Sequence, residues 1–415
     1  MNNSISLELV RWIENVQLSN DLAKNFSLKN LEGIYQISDD YTKQTLIENL
    51  GLSEEEFNLR FIESGLLSPS AYPKSKYQNR SYHHMYTLLW DNVDSITRIC
   101  YPKAHKTFPI EVASAYTGDI NARIRQGSNK SEFAIIIDEA FLAFSNLLSR
   151  IYIQVIPFIK QNNGSFFVSL NDSDIENRIN APDNKSFIGF FDLIKSLIIE
   201  GLPCAAEQYY QPSYREVEGT SAVWIKHCFD LFLMAHEYGH MHLNHFEDDK
   251  FEKESYKAKL LSRVCELEAD RFAMEIVIRD SLDNKMSPFF AIVGALIFFE
   301  YQLFIERCLY FFQFGKDMGN EPSFSIHRDL EVGMSTHPHA FIRKEYLLKF
   351  LKNSDLHQTR FIDVDDIEKF FNKVSNIFWN KSFNAFKYYY DQKIMIHPIW
   401  KRLSDEIIAN EKEFG

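Results

Sequence analysis

Cysteine, glycine and proline are scarce in this chain of 415 residues, and basic side chains are outnumbered by acidic ones. The five cysteines (Cys100, Cys204, Cys228, Cys265 and Cys308) are scattered, odd in number and in no ligand spacing. That argues against a disulfide scaffold and a thiolate metal cluster, and fits thiols kept reduced in a cytoplasmic setting. No glycine-rich phosphate loop and no internal repeat occurs, which removes the common nucleotide-binding and solenoid classes. With 45 Lys and Arg against 57 Asp and Glu, the net charge of −12 argues against nucleic acid as a partner, since phosphate binding calls for basic patches. The opening residues, Met1-Asn-Asn-Ser-Ile-Ser-Leu-Glu-Leu-Val10, have neither the positive start nor the long apolar stretch expected of a signal peptide. The uncharged run from Met286 to Phe299 is 14 residues long, bounded by Lys285 and Glu300. A span needs about 20 apolar residues, so a buried core helix is expected there and no stable membrane insertion.

Apolar residues make up 45% of the chain, with 36 Phe and 20 Tyr, enough for a substantial core. The most informative stretch is Leu231 to His245, which contains His236-Glu237-x-x-His240. On a helix, residues four apart differ by roughly 40° in direction, so His236 and His240 point together. Two neutral imidazoles so placed can hold one Zn²⁺. Glu237, roughly 100° further round, can reach a water on the metal without ligating the metal itself. This is the arrangement of a metal-assisted hydrolase: two ligands, a base and an open position. Phe229, Leu233, His236, His240 and Leu243 fall on one face, so the imidazoles are expected to look toward a core, where burial without a partner is costly.

The third ligand distinguishes the classes of such sites. The H-E-x-x-H-x-x-G-x-x-H pattern is excluded, because Leu243 and Phe246 stand at its glycine and last histidine positions. His242 and His245, if the helix continues, point roughly 240° and 180° away from His236, and are read as structural or surface residues. The better candidate is Glu266, within Cys265-Glu-Leu-Glu-Ala-Asp270-Arg-Phe-Ala273. Glu268, Arg271, Glu275 and Arg279 form a charged stripe assigned to solvent, which puts Glu266 and Asp270 on the buried side of that helix. Two carboxylates there require compensation. Glu266 on the zinc and Asp270 accepting a hydrogen bond from a ligand histidine would supply it; an internal ion pair with an arginine is the alternative. Ala269 and Ala273 are small enough to let the two helices approach closely.

Together these segments resemble the zinc metallopeptidases that include HtpX, Oma-type proteases and the CAAX prenyl endopeptidases. Two outer motifs add to the resemblance: Ser335-Thr-His337-Pro338 with Arg343, and Asn121-Ala122 with Gly127. The similarity spans roughly residues 105–350 and implies a zincin-type core with Zn²⁺ on His236, His240 and Glu266. It further implies Glu237 as general base, Asp270 as the group orienting a ligand histidine, His337 and Arg343 as substrate or oxyanion contacts, and Asn121 on an edge strand that aligns the substrate. The bland readings are a loop histidine before a helix for His337 and an ordinary loop dipeptide for Asn121-Ala122. Many such relatives are membrane-embedded, and this chain departs from them.

The fold expected is therefore α+β and predominantly helical, with a small sheet beside the active-site helix. Three regions are expected: a helical region over 1–80, a metallopeptidase core over 81–350 with an insertion at about 161–220, and a helical extension over 351–415. Phe133 to Ile137 is expected as a buried strand and Arg150 to Ile159 as a strand or a helix. Ile367 to Tyr389 carries apolar residues at helical spacing, suited to a core or an association surface. The function expected is a zinc metalloendopeptidase acting on an intracellular protein or peptide. Alternatives are a narrow regulatory or phage-exclusion type of protease, a catalytically silent zinc-stabilised interaction protein, and a zinc hydrolase of a non-peptide amide. Substrate identity and oligomeric state are not encoded in any motif found.

Overall fold

A computed structural model describes residues 5–18, 80–115, 120–201, 217–246, 256–319, 338–354 and 363–400, with isolated positions between them. The chain divides into two compact units, 1–141 and 142–415, so the boundary falls inside the segment expected as one core. Most of the described secondary structure is helical, with two small sheets.

In the first unit, helix α1 (Leu7–Leu18) buries Leu9 and Ile13, one turn apart, against Ala113, Ala115, Ala134 and Ile136. The alanines keep the sheet surface shallow enough for a helix to lie on it. Helix α2 (Arg80–Cys100) buries Tyr86, Trp90, Val93 and Thr97 at spacings of three and four, one helical stripe. The sheet has the order β1-β3-β2. Strand β1 (Ile110–Ala115) runs parallel to β3 (Phe133–Asp138), and β2 (Ala122–Gln126) runs antiparallel to it. Central β3 is buried throughout, as its continuous apolar run requires. Edge strand β2 alternates between covered and exposed residues.

The second unit opens with α3 (Phe141–Val155), so the segment from Arg150 continues as helix and only Phe158–Lys160 becomes a strand, β4. That strand pairs antiparallel with β5 (Phe166–Val168). Helices α4 (Asp172–Ile179) and α5 (Ser186–Lys195) follow; a π turn over Ser196–Glu200 extends α5 and stops at Gly201, whose φ of 68° suits glycine. The core of the unit is α6 (Glu218–His242), α7 (Tyr256–Asp283) and α8 (Pro288–Phe314), which pack on one another. Helix α8 starts at Pro288 behind the Ser287 cap and runs well past Glu300. It is long and apolar enough to cross a membrane, yet 83% of its most apolar window is buried inside the protein. Glu300, near its middle, meets Lys344 of α9 (Ala340–Asn353) at 2.9 Å. The last long helix, α10 (Val364–Asp391), turns Phe378, Trp379 and Phe386 inward. Phe378 lies 4.5 Å from Phe190, ring centre to ring centre, and Trp379 lies 5.9 Å from Phe311. The aromatic helix near the C-terminus is thus core.

Candidate metal centre

Helix α6 is buried at every residue from Cys228 to Gly239, so its imidazoles sit inside protein and not on a water-facing stripe. Gly239 sets the approach of α7. A β-carbon there would lie 3.2 Å from the Ala269 α-carbon and 3.1 Å from Cδ1 of Phe272. With no side chain at 239 and only a methyl at 269, the two backbones close up. A carboxylate from α7 then reaches the imidazoles of α6. On the opposite partner Gly294 does the same for α8: a β-carbon would lie 2.7 Å from Cβ of Cys228.

The Nε2 atoms of His236 and His240 are 3.2 Å apart. Glu266 places Oε2 at 3.4 Å from the first and Oε1 at 3.4 Å from the second. One donor atom from each of the three lies within 4.8 Å of the others, and the group can hold a metal ion.

Each imidazole is held from its far nitrogen. Nδ1 of His236 lies 2.9 Å from Oδ1 of Asp270, closer than the 3.5 Å to Arg343 Nη2. A buried carboxylate accepts, so Nδ1 keeps its proton and Nε2 is the nitrogen that a metal ion would take. Asp270 is in turn gripped by Arg343, Nε to Oδ2 at 2.7 Å and Nη2 to Oδ1 at 2.6 Å, a bidentate pair with no solvent exposure at Asp270. Arg343 Nη1 also lies 3.6 Å from Glu266 Oε2. Both compensations considered for the α7 carboxylates are therefore present: convergence on the histidines, and pairing with an arginine.

The electrostatics follow from burial and these partners. Burial opposes charge on His236, but the hydrogen bonds to Asp270 and Glu266 outweigh it and raise its pKa to about 10. Burial, with the neighbouring charge on His236, pushes His240 down to about 3. Burial would raise Asp270, yet Arg343 and His236 hold it below the usual carboxylate range. Arg343 is pushed upward: Asp270, Glu266 and Glu237 favour its charge more than burial disfavours it. Among the described residues named here, three buried carboxylates face one guanidinium. With His236 neutral, as a metal ligand must be, two negative charges remain, which one divalent cation balances.

The other residues singled out in the sequence fall as follows. Glu237 is buried, 6% exposed, one position on from His236. Two of the Arg343 nitrogens bond Asp270, and Nη1 lies near Glu266 Oε2. His337 lies outside the described residues. Pro338 precedes α9, which is capped by His339 and so does not start on the proline. Asn121 belongs to the first unit, just before β2, where its carbonyl accepts from Asp138 N–H at 2.9 Å. His83 is buried, with Nδ1 2.7 Å from the Val112 carbonyl, and has a structural place. His242 packs on Phe272, ring centres 5.1 Å apart, away from the three donors.

His245 does not lie on the far side of α6, where an unbroken helix would put it. The helix does not continue to His245. Asn244 takes a left-handed conformation, φ 62°, and the chain reverses. The Asn244 N–H then bonds the Met241 carbonyl at 3.1 Å and the His245 N–H bonds the His240 carbonyl at 3.0 Å, the pair of bonds of a Schellman cap. His245 returns to His240, Nδ1 to Nδ1 at 3.0 Å, and its Nε2 lies 3.3 Å from Glu268 Oε2. Asn244 was the available signal, since asparagine is among the few residues that tolerate this backbone state after a helix.

Comparison of the chain with protein-family models, curated proteins and solved structures gives no match.

Proposed function

We propose that the chain is a zinc metalloendopeptidase of the HtpX, Oma and CAAX-endopeptidase type, acting on an intracellular protein without stable membrane insertion. One observation carries this reading: two Nε2 atoms and a carboxylate converge at 3.2 to 3.4 Å from one another. Donors about 3.4 Å apart are what tetrahedral geometry with bonds of about 2.0–2.1 Å requires of zinc. Two imidazoles and one carboxylate are also the donor set of a catalytic zinc, three protein ligands with a fourth position left for chemistry, whereas a structural zinc site is closed by four.

Zinc, when bound, supplies Lewis acidity, polarising a carbonyl and making water acidic near neutral pH. His236, His240 and Glu266 would hold it. Asp270, fixed by Arg343, keeps His236 in the tautomer that presents Nε2. Glu237 takes the proton from the attacking water and returns it to the leaving amine. The low exposure of these side chains suits a selective enzyme more than a digestive one, and a narrow regulatory protease is the form of the activity most in keeping with it.

Glu237→Gln tests the reading. Its zinc content should match the wild type, while new protein N-termini produced in cells by the wild type disappear. Cleavage that survives the substitution removes Glu237 from the role of base. Loss of zinc along with cleavage would make the residue structural.

A further inference from the structure

We propose that His245 is a positioning residue for the metal centre: it fixes His240 in the tautomer and orientation that offer Nε2 to the ion. The inference rests on the metal-centre reading above and adds to it a second support, unlike the first. His236 has its buried carboxylate. Among the described residues, no carboxylate stands on the far nitrogen of His240; it faces the imidazole of His245, Nδ1 to Nδ1 at 3.0 Å. One of those two nitrogens must carry a proton and the other must not. A metal on His240 Nε2 leaves the proton of the neutral ring on its Nδ1, which donates to His245. His245 then carries its own proton on Nε2, aimed at Glu268 Oε2 at 3.3 Å. Every nitrogen along this line has one consistent role, and the reverse assignment would put a proton on the nitrogen that faces Glu266 and His236.

The local sequence builds this contact. In a Schellman cap the residue after the left-handed one folds back over the third residue from the helix end. Here those two positions are His245 and His240, so the cap that ends α6 also delivers the supporting ring. The His245 side chain is only 7% exposed, packed with its ring centre 5.1 Å from that of His240. Outer partners of ligand histidines commonly change metal affinity 10–100-fold when removed.

The test compares full-length wild type, His245→Leu and His245→Asn. Zinc affinity is measured by chelator competition, the Co²⁺ visible spectrum is recorded, and the metal-free forms are melted to confirm folding. Leucine fills the space without an acceptor; asparagine places Oδ1 near the position of Nδ1. We expect His245→Leu to bind Zn²⁺ about tenfold more weakly or worse, with an altered Co²⁺ spectrum, and His245→Asn to recover most of the loss. If His245→Leu does not fold, His245→Phe supplies a ring without an acceptor for the same comparison. Wild-type affinity and spectrum in the leucine or phenylalanine chain would overturn the inference and leave the metal centre standing. Equal losses in His245→Asn and His245→Leu would also overturn it, by making the ring a space-filler. A wild-type chain that takes up no zinc would overturn both.

Discussion

The two histidines of the candidate metal centre sit one helical turn apart and are supported in opposite ways. His236 leans on a fully buried carboxylate that is itself gripped by a buried arginine. His240 leans on a neutral ring whose outer partner, Glu268, has a side chain 53% exposed. The first support is made of charges that cannot be left unpaired. The second is made of two neutral rings backed by an exposed carboxylate, at the end of a helix. Losing the first should therefore damage the fold as well as the metal site, and losing the second should damage mainly the metal site.

Asp270→Ala should have the largest effect. It removes the bidentate partner of the buried Arg343 guanidinium, and breaking a buried pair this way costs about 3–5 kcal/mol. Chemical unfolding of the metal-free chain measures it. Asp270→Ala combined with Arg343→Leu should cost less than the sum of the two single losses; additive losses would mean that the pair is not what Asp270 serves.

Zinc uptake near neutral pH should release a proton from the His236 side and none from the His240 side. The sign follows from the two pKa directions. His236, raised to about 10, is protonated below that value in the metal-free chain, and a metal must displace that proton. His240, lowered to about 3, is already neutral. Zinc affinity should thus rise about tenfold per pH unit between pH 7 and 9. Calorimetry in buffers of different ionisation enthalpy counts the proton directly, and a count near zero would break the contrast between the two rings.

Glu268→Ala should have the smallest effect. Its contact with His245 is 3.3 Å and half in water, a setting in which a pair contributes roughly 0–1 kcal/mol. Zinc affinity should change by less than about fivefold. A larger loss would show that the outer end of the His240 support carries more than its exposure allows.

Much of this centre was legible in the residues, for physical reasons that can be named. Helical spacing alone pairs His236 with His240, and the charged stripe on α7 turns Glu266 and Asp270 inward. Ala269 signalled a close helix contact, although its counterpart, Gly239, sat unnoticed inside the histidine motif itself. What could not be read was set by direction changes and by distant partners. One asparagine in a left-handed state moved His245 from the far side of the helix onto His240. Arg343 is 73 positions from Asp270 in sequence, so no local pattern tied it to that carboxylate. The run from Arg150 had the β-branched composition of a strand, yet it continues α3 to Val155, with Ile151 and Ile153 buried in the core. Tertiary burial there overrides a weak local preference.

The proposal that His236, His240 and Glu266 together hold one zinc ion can be measured on the protein itself. The most direct measurement is the metal content of the purified full-length chain, by plasma mass spectrometry after dialysis, beside that of Glu266→Ala. About one zinc per wild-type chain is expected, and a small fraction of that in the variant, since one of three protein ligands is removed. A wild-type chain without zinc, or a Glu266→Ala chain that keeps its full complement, would contradict it.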